Sequence, residues 1–245
     1  MGLGHAYRPH PLEEIKLQMF HKTVIVPLIT AALMLASSLA TAADTDAPEL
    51  NQAQQLVFMD DHLRDIPSNR VLNYDFESHV KGTDDVADTV RMTVTEVRED
   101  NTRNLSFDFL TGSRHIDFHD AEGYRGSNPI IIQFLERDIR DMSQATGGSI
   151  HYFRNRIRKS FTEPQVRAIR ISHDGKDMDA VEVVVTPFTR DPNVAKFERY
   201  AQKRYEFIMC DGVPGGLYRI HTLVPAGDEI QVEEQLTFSR VSDAG

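Results

Sequence analysis

Two blocks of period-two alternation, interrupted once by helical spacing, set what this chain can fold into. In the first block Leu72, Tyr74, Phe76 and Val80 alternate with Asn73, Asp75, Glu77 and His79. Val90, Met92 and Val94 repeat the pattern, and Leu105, Phe107 and Phe109 repeat it again after the polar turn at 99–102. Such alternation marks half-buried strands with one packed face and one wet face. Thr111-Gly112-Ser113 reads as another turn, and Arg114 to His119 as a short strand. In the second block Val166 to Ile171 and Val181 to Val185 are joined through His173-Asp174-Gly175-Lys176, a hairpin signal. Tyr205 to Cys210, Leu217 to Val224 and Ile230 to Phe238 follow as strands, after an irregular connection at 191–201.

The interruption reads as two helices. Asn128 is a capping residue and Pro129 suits the first helical position. Ile132, Leu135, Ile139 and Met142 then follow at helical spacing, and Gly147-Gly148 ends the run. Glu136 with Arg140, and Arg137 with Asp141, are expected as i,i+4 ion pairs on its wet side. Phe153, Ile157 and Phe161 form the stripe of a second helix ended by Pro164. A further helix is expected near the start of the folded part, Leu50 to Leu63, with Leu56, Met59 and Leu63 on one face.

Short connections between strands mean antiparallel pairing, and the absence of strand–helix–strand alternation argues against a doubly wound sheet. The expected fold is therefore α+β: one large curved antiparallel sheet, an incomplete barrel, with helices covering its concave face.

The N-terminal segment sets the compartment. Residues 23–43 carry no charge, are densest in apolar residues over 24–35, follow His21-Lys22 and close on small residues up to Ala43. This is the pattern of a secretory signal peptide, with Ala40 and Ala42 fitting a cut before Ala43. Residues 1–42 are read as that signal and 43–245 as a single domain. Met19, just before Phe20-His21-Lys22, is an alternative translation start. An uncleaved anchor is the rival reading, since 21 charge-free residues reach across a bilayer. The expected location is the periplasm, with no integral membrane segment once the signal is removed.

Charge and cysteine content narrow the function classes. With 27 basic against 37 acidic residues the formal charge is -10, and removal of residues 1–42 takes it to 24 against 35, or -11. That lacks the basic footprint of a nucleic-acid binder. The single cysteine, Cys210, excludes an intramolecular disulfide framework and any cysteine-cluster metal site. It reads as a small buried residue. No nucleophile elbow or phosphate-binding glycine loop occurs, and no cofactor is expected.

Three groups of residues are candidate sites. If 114–119 is a strand, His115, Asp117 and His119 share one face as two imidazoles and a carboxylate, plausible ligands for zinc or iron. Neighbours two apart on a strand are about 6.6 to 6.8 Å apart, so convergence of all three requires a bend. Arg154, Arg156, Arg158 and Lys159 form a basic cluster suited to an acidic partner or a lipid headgroup, or else a helix face paired with nearby carboxylates. Tyr74, Phe76, Phe107, Phe109, Tyr205 and Phe207 either fill the core or line a cavity for an acyl chain.

The order of elements resembles the periplasmic lipoprotein-carrier (LolA/LolB-like) half-barrel superfamily. The phrases Asn128-Pro129, Phe134-Leu135-Glu136-Arg137-Asp138 and Val213-Pro214-Gly215-Gly216-Leu217-Tyr218 resemble those of uncharacterised secreted bacterial proteins. The first resemblance implies a hydrophobic cavity between sheet and helices. The expected function is that of a non-enzymatic protein binding a lipid, an acyl chain or an exported protein segment. The alternatives are an interaction module of a cell-envelope assembly and a metal-dependent enzyme built on His115, Asp117 and His119.

Overall fold

A computed structural model of the chain describes residues 49–244; the expected signal peptide lies outside them. Nine strands form one sheet: β1 Arg70–Val80, β2 Val86–Val97, β3 Arg103–Phe109, β4 Ala121–Tyr124, β5 Gln165–His173, β6 Lys176–Val185, β7 Arg204–Met209, β8 Leu217–Ala226 and β9 Glu229–Asp243. Their order is β4-β3-β2-β1-β9-β8-β7-β6-β5, and every neighbouring pair is antiparallel. The first strand thus lies beside the last, and the sheet remains open between its edges β4 and β5. This is the α+β incomplete barrel that the alternation predicts.

Register follows the apolar pattern. Tyr74 lies opposite Val90 and Phe238, Phe76 opposite Leu236, and Phe207 opposite Val183 and Ile220. All are buried on one face. A slip of one residue would turn that row to solvent, so the core itself enforces the pairing.

The chain leaves the sheet at one edge and returns at the other. Eight strand spacings separate β4 from β5, about 38 Å if the sheet were flat. The connection is made by α2 (Pro129–Thr146) and α3 (Ile150–Ser160). At 1.5 Å per residue they measure about 27 and 16 Å, enough to cross the sheet. Asn128 Oδ1 accepts from the Ile130 N–H, Pro129 occupies the first turn, and Gly147 ends α2 in the left-handed region at φ 69°. These are the boundaries the sequence indicates.

Three expectations fail. The N-terminal helix is short: α1 is Gln52–Gln54, continued by a π-helical turn at Gln55–Met59. The π turn shifts the inward face to Ala53, Val57 and Phe58, and leaves Met59 40% exposed. Arg114 to His119 is not a strand. It is a 3-10 turn at Gly112–Arg114 followed by irregular chain, with one isolated bridge between Ile116 and Phe109. The fourth strand is Ala121–Tyr124, whose Glu122 and Gly123 hide it in the sequence. Third, the expected Arg137–Asp141 pair forms at 3.4 Å, but Glu136 pairs with Arg154 and α2 has no wet side along its middle. Glu136 and Asp138 are buried, and Arg137 is only 14% exposed.

Candidate functional site

The layer between the helices and the sheet holds the six aromatic residues singled out above. Tyr74, Phe76, Phe107, Phe109, Tyr205 and Phe207 are all buried, and they pack as core. Phe207 meets Phe161 of the α3 C-cap at 5.5 Å, Phe109 meets Phe118 at 5.2 Å, and Tyr74 meets Phe238 at 5.7 Å. Among the helices themselves, a void lined by Phe58, Leu135, Ile157 and Phe161 and by the charged Glu136, Arg154 and Arg158 measures about 10 Å³, room for at most one water.

Charged groups cross the same layer. Arg137 on α2 places both terminal nitrogens on Glu234 of β9, at 2.6 and 3.0 Å, and its guanidinium stands 4.9 Å over the Phe76 ring. Ser78 adds a hydrogen bond to the same carboxylate at 3.3 Å. Burial would raise the Glu234 pKa, but the Arg137 charge and hydrogen bonds outweigh it and hold the group below the usual glutamate range. One residue on, Asp138 accepts from Lys203 Nζ at 2.5 Å and from the Tyr205 hydroxyl. Burial and the Asp138 charge push the Tyr205 hydroxyl far above its ordinary pKa, so it remains a donor. These contacts clamp the middle of α2 to the sheet. In sequence they read as surface charges, because the partners lie 65 to 97 residues away.

A second polar junction sits at the start of α2. The Asn128 amide donates to the Tyr74 hydroxyl at 2.7 Å and to the Gly215 carbonyl at 2.9 Å, while its backbone N–H donates to His62 Nδ1 at 3.0 Å. Burial lowers the His62 pKa. With Nδ1 accepting, the neutral ring carries its proton on Nε2, which is buried without a partner. Thus Asn128-Pro129 and Val213-Pro214-Gly215-Gly216, far apart in sequence, meet around one side chain. Between the two junctions lies Gln133, fully buried, with neither amide atom hydrogen-bonded. A buried polar group without a partner is rare enough to require a reason.

The basic cluster on α3 is mostly spoken for. Arg154 makes a two-point pair with the buried Glu136, both contacts 2.7 Å. Arg156 Nη2 donates to the Pro187 carbonyl at 3.0 Å, and Nε lies 2.5 Å from Asp191 Oδ2. The latter approach is off the N–H direction and acts as a charge contact. Arg154 and Arg156 are therefore braces between elements, and Arg158 is exposed.

His115, Asp117 and His119 are exposed on the irregular segment after β3. His115 Nδ1 lies 3.2 Å from the Leu110 carbonyl. Among the described residues no group of three or more His, Cys, Asp or Glu side chains is placed to hold a metal ion. The strand that would have aligned the three is missing, because Phe118 turns inward onto Phe109 and the backbone pairs only at Ile116. Cys210 is buried and free, its thiol donating to the Asp179 carbonyl at 3.3 Å. Sequence reasoning overlooked His221, which stands between Glu206 at 2.9 Å and Glu233 at 2.7 Å. Its strand neighbours were visible, but the pairing that brings three strands together was not.

The open sheet with its helical cover defines an incomplete-barrel protein. No family model matches the chain, and no curated protein matches it. Two solved structures are similar in arrangement. The Mycobacterium tuberculosis lipoprotein LppX is 10% identical, with 69% of this chain and 84% of that one covered at a TM-score of 0.30. A LolA superfamily protein from Nitrosomonas europaea is 9% identical, with 78% and 92% covered at a TM-score of 0.24. At these identities and TM-scores the two similarities carry no fold family, activity or ligand across to this chain. Among the described residues no helix is long and apolar enough to cross a membrane.

Proposed function

We propose that this is an exported, periplasmic, non-enzymatic protein that takes an apolar ligand, a lipid or acyl chain, between its sheet and its helical cover. The observation that carries this reading is the construction of the layer. The sheet is open, and one face of aromatic and aliphatic side chains is closed by helices rather than by strands. That cover is attached at discrete polar clamps, Arg137–Glu234 and Asp138–Lys203–Tyr205. Helices make no ladder with the sheet, so they can lift without breaking strand pairing. Gln133, unpartnered within the layer, is the group a ligand's polar end would satisfy. The aromatic row on the inner face of the sheet is buried beneath the cover, so loading requires the cover to move.

The test is native mass spectrometry of detergent-free protein after incubation with vesicles of phosphatidylethanolamine and phosphatidylglycerol. Excess mass released as lipid on denaturation is the expected result. Protein mass alone, from both the periplasmic preparation and the vesicle incubation, would overturn the reading.

A second reading is favoured by the buried aromatic face together with β5. This nine-residue edge strand is exposed along most of its length and presents an unpaired row of backbone groups. It would serve an envelope interaction module, and a protein partner with no bound lipid in the same experiment would favour it.

A further inference from the structure

A cleft of about 520 Å³ opens beside α3, between the C-terminal end of that helix, the start of β5 and the β6–β7 connection. Its size falls within the range of small-ligand sites, about 300–1,000 Å³. We propose that it binds an anionic oxygen group of the phosphate type, with Lys159 and Arg190 as its charged contacts and Thr186 and Thr189 as its hydroxyl donors. This inference stands apart from the reading of the helix–sheet layer, because the cleft lies outside that layer and is already open.

The argument begins with the wall formed by residues 186–191. Burial alternates along it: Pro187, Phe188 and Asp191 are buried, whereas Thr186, Thr189 and Arg190 are exposed. Phe188 anchors the wall inside, against Phe153 at 5.8 Å and Phe197 at 5.4 Å. Arg156 then ties the wall to α3 through the Pro187 carbonyl and the Asp191 carboxylate. Tyr152 donates to that same carboxylate, whose other contact is the Asn193 N–H at 2.8 Å. Two walls fixed to each other in this way hold the backbone that carries the donors in place before a ligand arrives, which lowers the ordering loss on binding.

The remaining groups set the ligand's charge. Arg156 is balanced by Asp191. Among the described residues Lys159 and Arg190, both exposed, have no ion pair, nor has Glu163, the cleft's other carboxylate, leaving a single net positive charge. That charge persists in a chain whose overall balance is -10. The Ser160 and Thr162 hydroxyls point their protons at helix carbonyls, Ile157 at 2.6 Å and Lys159 at 2.8 Å. Among the described residues no partner engages the Thr186 and Thr189 hydroxyls, which are exposed and can donate. Cations with hydroxyl donors on a fixed backbone suit a compact oxyanion, through charge-assisted hydrogen bonds. An acidic guest would be repelled by Glu163 unless it reached both cations.

The test is a titration of isotope-labelled protein with inorganic phosphate, read by amide shifts. Shifts are expected at Thr186, Thr189 and Arg190, with binding weakened about tenfold or more in the Lys159→Gln/Arg190→Gln variant, as loss of two charge-assisted contacts implies. Lys176→Gln, which alters an exposed lysine on the β5–β6 turn, is expected to change nothing. Both substitutions are at exposed side chains, so the fold is retained, and the unshifted spectrum elsewhere verifies it. Two further arms separate the sources of the group. Flotation with phosphatidylcholine vesicles containing phosphatidic acid, and not with phosphatidylcholine alone, assigns a lipid headgroup. Competition by glycerol 3-phosphate without flotation assigns a soluble phosphate. Shifts scattered over the surface, no shifts, or shifts that survive the double substitution would overturn the proposal.

Discussion

Arg137 of α2 and Glu234 of β9 are joined by two hydrogen-bonded contacts, 2.6 and 3.0 Å, in the layer between helix and sheet. Both side chains are largely buried, at 14% and 8% exposure. Removing Arg137 leaves Glu234 with only the Ser78 hydroxyl as a hydrogen-bond partner, and removing Glu234 leaves Arg137 with the longer contact to Asp141 at 3.4 Å, so each loss strands a charge in a poorly solvated place. Arg137→Ala or Glu234→Ala is therefore expected to destabilise the protein by about 3–5 kcal/mol. The double replacement Arg137→Met with Glu234→Leu is expected to restore most of that loss. Urea unfolding of the three variants measures both effects, and additive losses in the double variant would show that the pair is not coupled.

His221 predicts a pH dependence. Its hydrogen bond to Glu206 raises its pKa, burial opposes this, and the bond to Glu233 raises it again, so the folded value lies above the usual histidine range. The stabilisation is complete below the unfolded value of about 6.5 and is lost as pH rises through the folded pKa. Native stability should therefore fall as pH is raised above 6.5, and His221→Gln should remove that slope. Urea midpoints collected from pH 6 to 9 decide the matter; an unchanged slope in the variant would place its origin elsewhere.

Gly215 and Gly216 have left-handed φ values of 80° and 67°. A Cβ on Gly215 would come 2.4 Å from Leu72 Cδ2, and one on Gly216 would come 2.9 Å from the His62 ring. Alanine at either position combines backbone strain with a collision at the Asn128 junction. The expected loss is well above about 1 kcal/mol at each. Gly227 has φ 65° with open space around it, so Gly227→Ala isolates the backbone part and should cost less. Thermal melts of the three variants give the ranking.

Gln133 offers a substitution that should stabilise. Both amide atoms are buried without a partner, and an apolar side chain of similar size removes that penalty, worth about 1–3 kcal/mol. Gln133→Leu is expected to raise the melting temperature of the ligand-free protein and to lower the amount of lipid retained after vesicle incubation. A lower melting temperature would show that the amide is satisfied in solution.

The elements were largely legible because their signals are local. Alternation at 72–80, 90–95 and 105–109 yields β1 to β3, and Asn128-Pro129 with Gly147 bounds α2. Where a local signal failed, a packing contact had replaced it. Of the stripe Leu56, Met59 and Leu63, Leu63 is buried and Leu56 packs against the core, but Met59 is turned out and Val57 and Phe58 face inward; the expected strand at 114–119 lost to Phe118 folding onto Phe109. The basic cluster was visible as composition. That Arg154 and Arg156 are braces, and that Lys159 and Arg190 frame an open cleft, was not.

The sequence by itself determined the antiparallel α+β layout and the boundaries of α2, because periodicity, caps and turns act over a few residues. Tertiary structure alone decided which charges are interior. Glu136, Arg137 and Asp138 look like one helix's wet face until Arg154, Glu234 and Lys203 meet them from elsewhere in the chain. Burial belongs to whatever packs against a residue, and a helix sequence carries no record of its distant neighbours.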